Sequence, residues 1–260
     1  MRTSLQKLYV ATLQAFTQRP EVQKIYLFGS MEQNTHDDYS DADIHIVSSD
    51  FDTTMHDIDS IMNVIGEPFV WYPFFHPQPG STGYAILFRD YPLYNRLDIT
   101  ILDTITPPVV AQGTCIYRNP RESVYHPSTY QPPHMEEMLH QLYGYGIRAV
   151  RYAKYRKRGM PLSAYRFYRA QCDYYFLKRY EQEKREVKTK VDLPLYTALD
   201  HLADSTLERY IYPENELAMN NLYLELLNTM LQQEQSMLSA AHLEALTEII
   251  TFVREELIAH

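Results

Sequence analysis

A polar loop held between two short apolar runs constrains this 260-residue chain more than any other stretch. Val22 to Phe28 reads as a strand, and Ile44 to Val47 reads as another. The first run ends on Gly29-Ser30; after a spacer of ten residues, Asp41-Ala42-Asp43 leads into the second. Gly29 lets the backbone turn sharply and lets a ligand approach closely. Ser30 can open a short helical turn, where free N–H groups beside a hydroxyl suit phosphate oxygens. Asp41 and Asp43 are two apart, so on a strand they share one face. Two carboxylates side by side repel each other unless a cation sits between them. Mg²⁺ suits that place, because it takes a carboxylate or two together with substrate phosphate oxygens. The stretch therefore reads as a metal–triphosphate site. The bland alternative is a solvated loop with chance acids.

Gly-Ser at a strand end, the ten-residue spacer and Asp-x-Asp entering a strand resemble the signature of the polymerase-beta-like nucleotidyltransferases. That resemblance implies a third acid on a later strand. Asn95 to Leu102 alternates strictly, with Arg96, Asp98 and Thr100 on one face and Leu97, Ile99 and Ile101 on the other. An acid in the middle of an apolar strand is costly to bury without a partner. A metal shared with Asp41 and Asp43 is the partner expected for Asp98.

The coarse order of elements gives the fold class. Leu5, Leu8, Tyr9, Leu13 and Phe16 make a helical face that ends before Pro20. After the two motif strands, Met55, Ile58, Ile61, Met62 and Ile65 make one helical stripe, capped by Ser49 or Asp50 and stopped by Gly66. Strands are expected over 67–75, 84–88 and 95–102. Residues 104–133 are rich in proline and read as a linker, with a short strand allowed at 114–117. Helices follow over 135–158 and 161–184, one or two short ones over 193–210, and further helices over 217–238 and 242–260. The expected fold is α+β: a mixed sheet with helices on one face over 1–103, the linker 104–133, and an all-helical domain over 134–260. Catalytic sheet first and helical bundle second is also the layout of the bacterial aminoglycoside and lincosamide nucleotidyltransferases, which this chain resembles in order and length.

That resemblance implies transfer of a nucleotidyl group, most simply AMP from ATP, to an antibiotic hydroxyl with release of pyrophosphate. It implies ATP or another NTP as co-substrate and two Mg²⁺ ions. Asp41 and Asp43 would hold metal, and Asp98 would bind the second ion, orient the acceptor hydroxyl or act as its base. Gly29 and Ser30 would grip the phosphates. From the second domain, Lys154 or Lys157 of the basic run 148–158 would reach the triphosphate, although cations at a helix end need no function. Glu136, Glu137 and Asp173 are the carboxylates available there to take a proton or bind the acceptor. The resemblance leaves room for a homodimer, because sites of this class are often completed by a neighbouring domain or subunit.

The net charge of −9 disfavours nucleic acid and suits a cationic acceptor such as an aminoglycoside. The 23 tyrosines crowd the second half and read chiefly as helix-packing residues; they would equally suit a lincosamide. No apolar run reaches the ~18 residues of a membrane span, so no membrane partner is expected. The start lacks an apolar signal core, and the two cysteines have no metal-ligand spacing, so a reducing cytoplasm is the expected location. The rival functions are nucleotidyl transfer to RNA or to a protein, as in a toxin–antitoxin pair, and non-catalytic nucleotide binding.

Overall fold

The computed structural model describes residues 3–73, 80–103, 113–121, 124–130, 135–187 and 205–258. It divides the chain into two compact units, 1–140 and 141–260. Among the described residues, no helix is long and apolar enough to cross a membrane.

The first unit is a mixed sheet with helices. Its strands are β1 (Val22–Phe28), β2 (Ala42–Ser48), β3 (Pro68–Pro73), β4 (Ser81–Phe88), β5 (Leu97–Asp103) and β6 (Thr114–Arg118). They lie in the order β3-β4-β5-β2-β1-β6, with β2 and β5 parallel and every other neighbouring pair antiparallel. The helices are α1 (Ser4–Thr17), the single turn α2 (Gly29–Glu32), α3 (Phe51–His56) and α4 (Ile58–Ile65). Thr3 caps α1 through a capping box with Gln6, which satisfies two otherwise orphaned N–H groups. Leu5, Leu8 and Phe16 of α1 pack with Phe51, Met55, Ile58, Ile61 and Met62 of α3 and α4 onto Ile25, Ile44, Ile46, Leu97, Ile99 and Ile101 of the sheet. Ile44, Ile46, Ile99 and Ile101 are fully buried. Each such side chain contributes about 1.5–3 kcal/mol relative to exposure.

One expectation is corrected here. The helical stripe after Asp50 is two helices, broken at Asp57, whose carboxylate takes a hydrogen bond from Arg19. Asp50 is the cap, accepting from the Thr53 N–H at 2.9 Å. The proline-rich stretch carries the short strand allowed at 114–117. Its residues 114–118 form β6 and extend the sheet beyond β1. Its residues 128–130 are held by Asp52, which accepts hydrogen bonds from Ser128, the Thr129 N–H and hydroxyl, and the Tyr130 N–H at 2.7–3.1 Å. Burial raises the Asp52 pKa, but these hydrogen bonds outweigh it and bring the value down to about 2.

The second unit is helical: α5 (Glu137–Lys157, which begins within the first unit), α6 (Pro161–Val187), α7 (Ser205–Ile211), α8 (Glu216–Glu234), a 3-10 turn at Gln235–Met237 and α9 (Ala240–Ile258). The expected helix over 193–210 is α7 in its last part; residues 188–204 lie outside the described residues. Pro213 stands ahead of α8, whose cap is Asn215, accepting from the Ala218 N–H at 2.9 Å. The tyrosines do pack here. Tyr152 and Tyr223 lie ring to ring at 4.4 Å, and the Tyr152 hydroxyl donates to Asn220 Oδ1 at 2.5 Å. The Tyr168 hydroxyl donates to the Tyr210 carbonyl at 2.7 Å.

Candidate active site

Gly29 is where β1 becomes α2. Phe28 is still extended, and Gly29 then takes φ +67°, in the left-handed region that favours glycine. The turn closes through Gln33 N–H to Gly29 O at 3.1 Å and Thr35 N–H to Ser30 O at 2.9 Å. Asn34, at φ 54°, ends it. Directly across the ladder from Phe28 is Asp43. Its carboxylate leans over Gly29: a Cβ built there would overlap Asp43 Oδ2 and stand 3.2 Å from Cγ. Gly29 is thus required by its backbone angle and again by the approach of Asp43.

The register then carries the site across the sheet. Asp43 pairs with Asp98 in the parallel β2–β5 ladder, Asp98 with Ala85, and Ala85 with Tyr72. Side chains in one cross-strand row share a face, so Phe28, Asp43, Asp98, Ala85 and Tyr72 lie in a single row. The residues between them in sequence, Ala42, Ile44, Leu97 and Ile99, form the core on the face covered by the helices. The alternation seen in the sequence is therefore real, and it puts the acids on the face away from α1, α3 and α4.

Asp41 lies just outside the ladder and is placed by two residues at the start of β5. Asn95 donates to the carbonyls of Asp38 and Ser40 at 3.0 and 2.9 Å. The Arg96 carbonyl accepts the Ala42 N–H at 3.0 Å. The Arg96 guanidinium forks onto Asp98, with Nε to Oδ1 and Nη2 to Oδ2 both at 2.7 Å, and Nη2 also reaches Asp41 Oδ2 at 2.5 Å. Arg96 is 2% exposed, against 17% for Asp41 and 12% for Asp98. Burial works against its charge, but the charges of Asp98, Asp41 and Asp43 outweigh that and hold its pKa above the ordinary arginine value. Arg96 is thus a buried partner of Asp98, beside the metal expected there from the sequence. The sequence puts Arg96 on the Asp98 face of its strand. The signal was there: a cation two residues before an acid on the same strand face.

His45 follows Asp43 on the same face, beside Tyr26 and Thr100. Its ring packs 4.1 Å from Phe28, and burial lowers its pKa to about 4, so it is neutral near pH 7. Its Nδ1 is buried without a hydrogen-bond partner.

The remaining candidates fall in two places. Glu136 and Glu137 are exposed at the start of α5, within the first unit. One turn later His140 stacks on Tyr72 at 4.7 Å, with its Nε2 3.0 Å from the Pro73 carbonyl. That contact sets the first turn of α5 beside the β3 end of the row containing Asp98 and Asp43. Lys154, Lys157 and Asp173 belong to the second unit. Lys154 is 6% exposed, Lys157 pairs with Glu256 at 3.1 Å, and Asp173 accepts from Arg169 at 2.8 Å.

Hard oxygen donors of this kind suit Mg²⁺. Three carboxylates face one guanidinium, so negative charge is left over for a cation. The donor set fits, but its arrangement is not a closed cage: among the described residues, no three His, Cys, Asp or Glu side chains stand together as a metal-ligating group. The Arg96 guanidinium lies between Asp41 and Asp98.

No curated protein matches the chain. Among solved structures it is similar to a STING-associated CdnE c-di-GMP synthase from Capnocytophaga granulosa, at 13% identity over 98% of this chain and 80% of that one, with a TM-score of 0.24. So low a score carries no argument. Residues 12–67, which hold the Gly29-Ser30 turn, Asp41 and Asp43, match the family described as polymerase beta, nucleotidyltransferase.

Proposed function

We propose that this protein transfers a nucleotidyl group, most simply AMP from ATP, to a hydroxyl of a small cationic acceptor, with release of pyrophosphate. The observation that carries this is Asp43 beside the Gly29-Ser30 turn and paired with Asp98 across the β2–β5 ladder, with Asp41 tied to Asp98 through Arg96; Gly29, Ser30, Asp41 and Asp43 lie on the stretch that matches a nucleotidyltransferase family. Asp41 and Asp43 would hold Mg²⁺, with Asp98 as the third ligand or the group that orients the acceptor hydroxyl. Mg²⁺ bound there would neutralise the charge building up on the attacking and leaving oxygens at the α-phosphorus. Gly29 and Ser30 would grip the phosphate oxygens through free N–H groups of the turn and the Ser30 hydroxyl. The chain's main contribution is positioning: Asn95 and Arg96 fix Asp41, and the ladder with Gly29 fixes Asp43. Glu136 and Glu137, exposed beside the β3 end of the acidic row, offer negative charge to a cationic acceptor such as an aminoglycoside. A lincosamide is the other acceptor class. Glu136 or Glu137 would take the acceptor proton; Asp173 is paired with Arg169, and Lys157 with Glu256.

The test is pyrophosphate release with Mg²⁺ and each of the four NTPs against a panel of aminoglycosides and lincosamides. Asp41→Asn, checked for folding by circular dichroism, is the control. Release with one compound, lost in the variant, is expected. Near-normal turnover by folded Asp41→Asn would sink the metal assignment. Release with protein or RNA as the sole effective acceptor would overturn the small-molecule assignment.

A further inference from the structure

We propose that Arg96 is a built-in counter-ion of the acidic site, holding Asp41 and Asp98 together and competing with a divalent cation for them. This rests on the metal assignment above and concerns how the metal enters.

The geometry carries the inference. Asp43 is fixed by the β1–β2–β5 ladder and by its fit over Gly29. Asp41 has no place in the ladder; its side chain is tied to β5 by Arg96. The same guanidinium occupies both oxygens of Asp98. One nearly buried cation therefore spans two of the three acids at hydrogen-bond distance, and the fork geometry is one that lysine cannot reproduce. A divalent ion placed on Asp41 and Asp98 meets that positive charge at close range, in surroundings that screen it poorly. A free ion is disfavoured there. An ion arriving on a triphosphate brings its own negative charge, which offsets the repulsion and gives the guanidinium another acceptor. Arg96 would thus keep the acids assembled between turnovers and make metal occupancy depend on nucleotide.

The probe is Mn²⁺, followed by the electron paramagnetic resonance of the free ion at constant ionic strength, with and without a non-hydrolysable ATP analogue. For the wild-type chain, Mn²⁺ binding, corrected for what the analogue chelates without protein, is expected to be weak alone and at least about tenfold tighter with the analogue, the scale of one partly screened charge interaction. Arg96→Gln is expected to bind Mn²⁺ alone about tenfold or more tighter than wild type. It is also expected to have a lower thermal midpoint, which MgCl2 raises more than it raises that of the wild type. Wild-type binding that is no tighter with nucleotide would overturn the inference. So would a folded Arg96→Gln whose Mn²⁺ affinity is unchanged or weaker, the outcome a purely structural arginine gives. If Arg96→Gln does not fold, the wild-type comparison alone decides. Arg96→Lys keeps the charge and loses the fork: weak binding of free Mn²⁺ with reduced turnover is expected, and tight binding of free Mn²⁺ counts against the idea. Absence of Mn²⁺ binding in every protein, with and without nucleotide, removes the metal site itself. Retained Mn²⁺ binding without nucleotide dependence removes only the role given to Arg96.

Discussion

Replacing Gly29 by alanine tests the construction of the site at its tightest point. Two costs are expected. The first is backbone strain: alanine at φ +67° gives up about 1 kcal/mol net, after allowing for the stiffer unfolded chain. The second is steric: the new methyl overlaps the Asp43 carboxylate, and driving that side chain off its rotamer costs about 0.5–1.5 kcal/mol. The sum is about 2 kcal/mol, which lowers the melting temperature of a unit of this size by roughly 4–8 °C. The structure supplies its own control. Gly159 has φ +65° with nothing within 4 Å of a built Cβ, so Gly159→Ala carries strain of about 1 kcal/mol and no clash. The assay is urea unfolding of Gly29→Ala, Gly159→Ala, Asp43→Ala and the Gly29→Ala/Asp43→Ala pair, followed separately for the two units. The double variant is expected to recover the steric part, a coupling of about 1 kcal/mol between residues in contact. Displacing Asp43 is also expected to lower turnover about 100-fold, more than the stability loss explains. If Gly29→Ala costs no more than Gly159→Ala, and Asp43→Ala gives no relief, the close approach of the carboxylate to Gly29 is wrong.

Other expectations follow from single contacts. Tyr152→Phe leaves the Asn220 side chain without its buried donor, and a loss of about 1–3 kcal/mol is expected in the second unit by urea unfolding. Because the folded-state pKa of Asp52 lies near 2, below its ordinary value of 3.8, its contribution to stability is fully present above pH 3.8 and lost as the pH falls towards 2. Loss of hydrogen-exchange protection at the Thr129 and Tyr130 amides over that range is the expected sign; Asp52→Asn is expected to weaken it already at pH 7. Burial pushes the Cys172 thiol up to about 12, whereas Cys115 is half-buried. A thiol reagent such as dithionitrobenzoate is expected to label Cys172 only on unfolding, and fast labelling of Cys172 in the folded protein would refute its burial.

The sequence by itself determined the elements that local chemistry writes plainly. The alternation of Ile44, Ile46, Leu97, Ile99 and Ile101 with polar residues fixed two strands and their faces, because the strand period is two and one face is buried. Gly29-Ser30, Asp41, Asp43 and Asp98 were legible for the same reason, each sitting at a strand end or on the polar face of an amphipathic strand. The helical second half was legible from its 3.6-residue stripes. Tertiary structure decided the rest. That Asp98 lies beside Asp43 follows from a parallel β2–β5 pairing that no local pattern records. A short strand at 114–117 was legible, but that it pairs with β1 at the end of the sheet is decided by the tertiary structure. That Asp98 faces Arg96 follows from spacing the sequence does show, but the shared grip on Asp41 needs two segments 55 residues apart to be brought together by the ladder. Periodicity fixes which face a side chain takes, and only the register between strands fixes which charge it meets there.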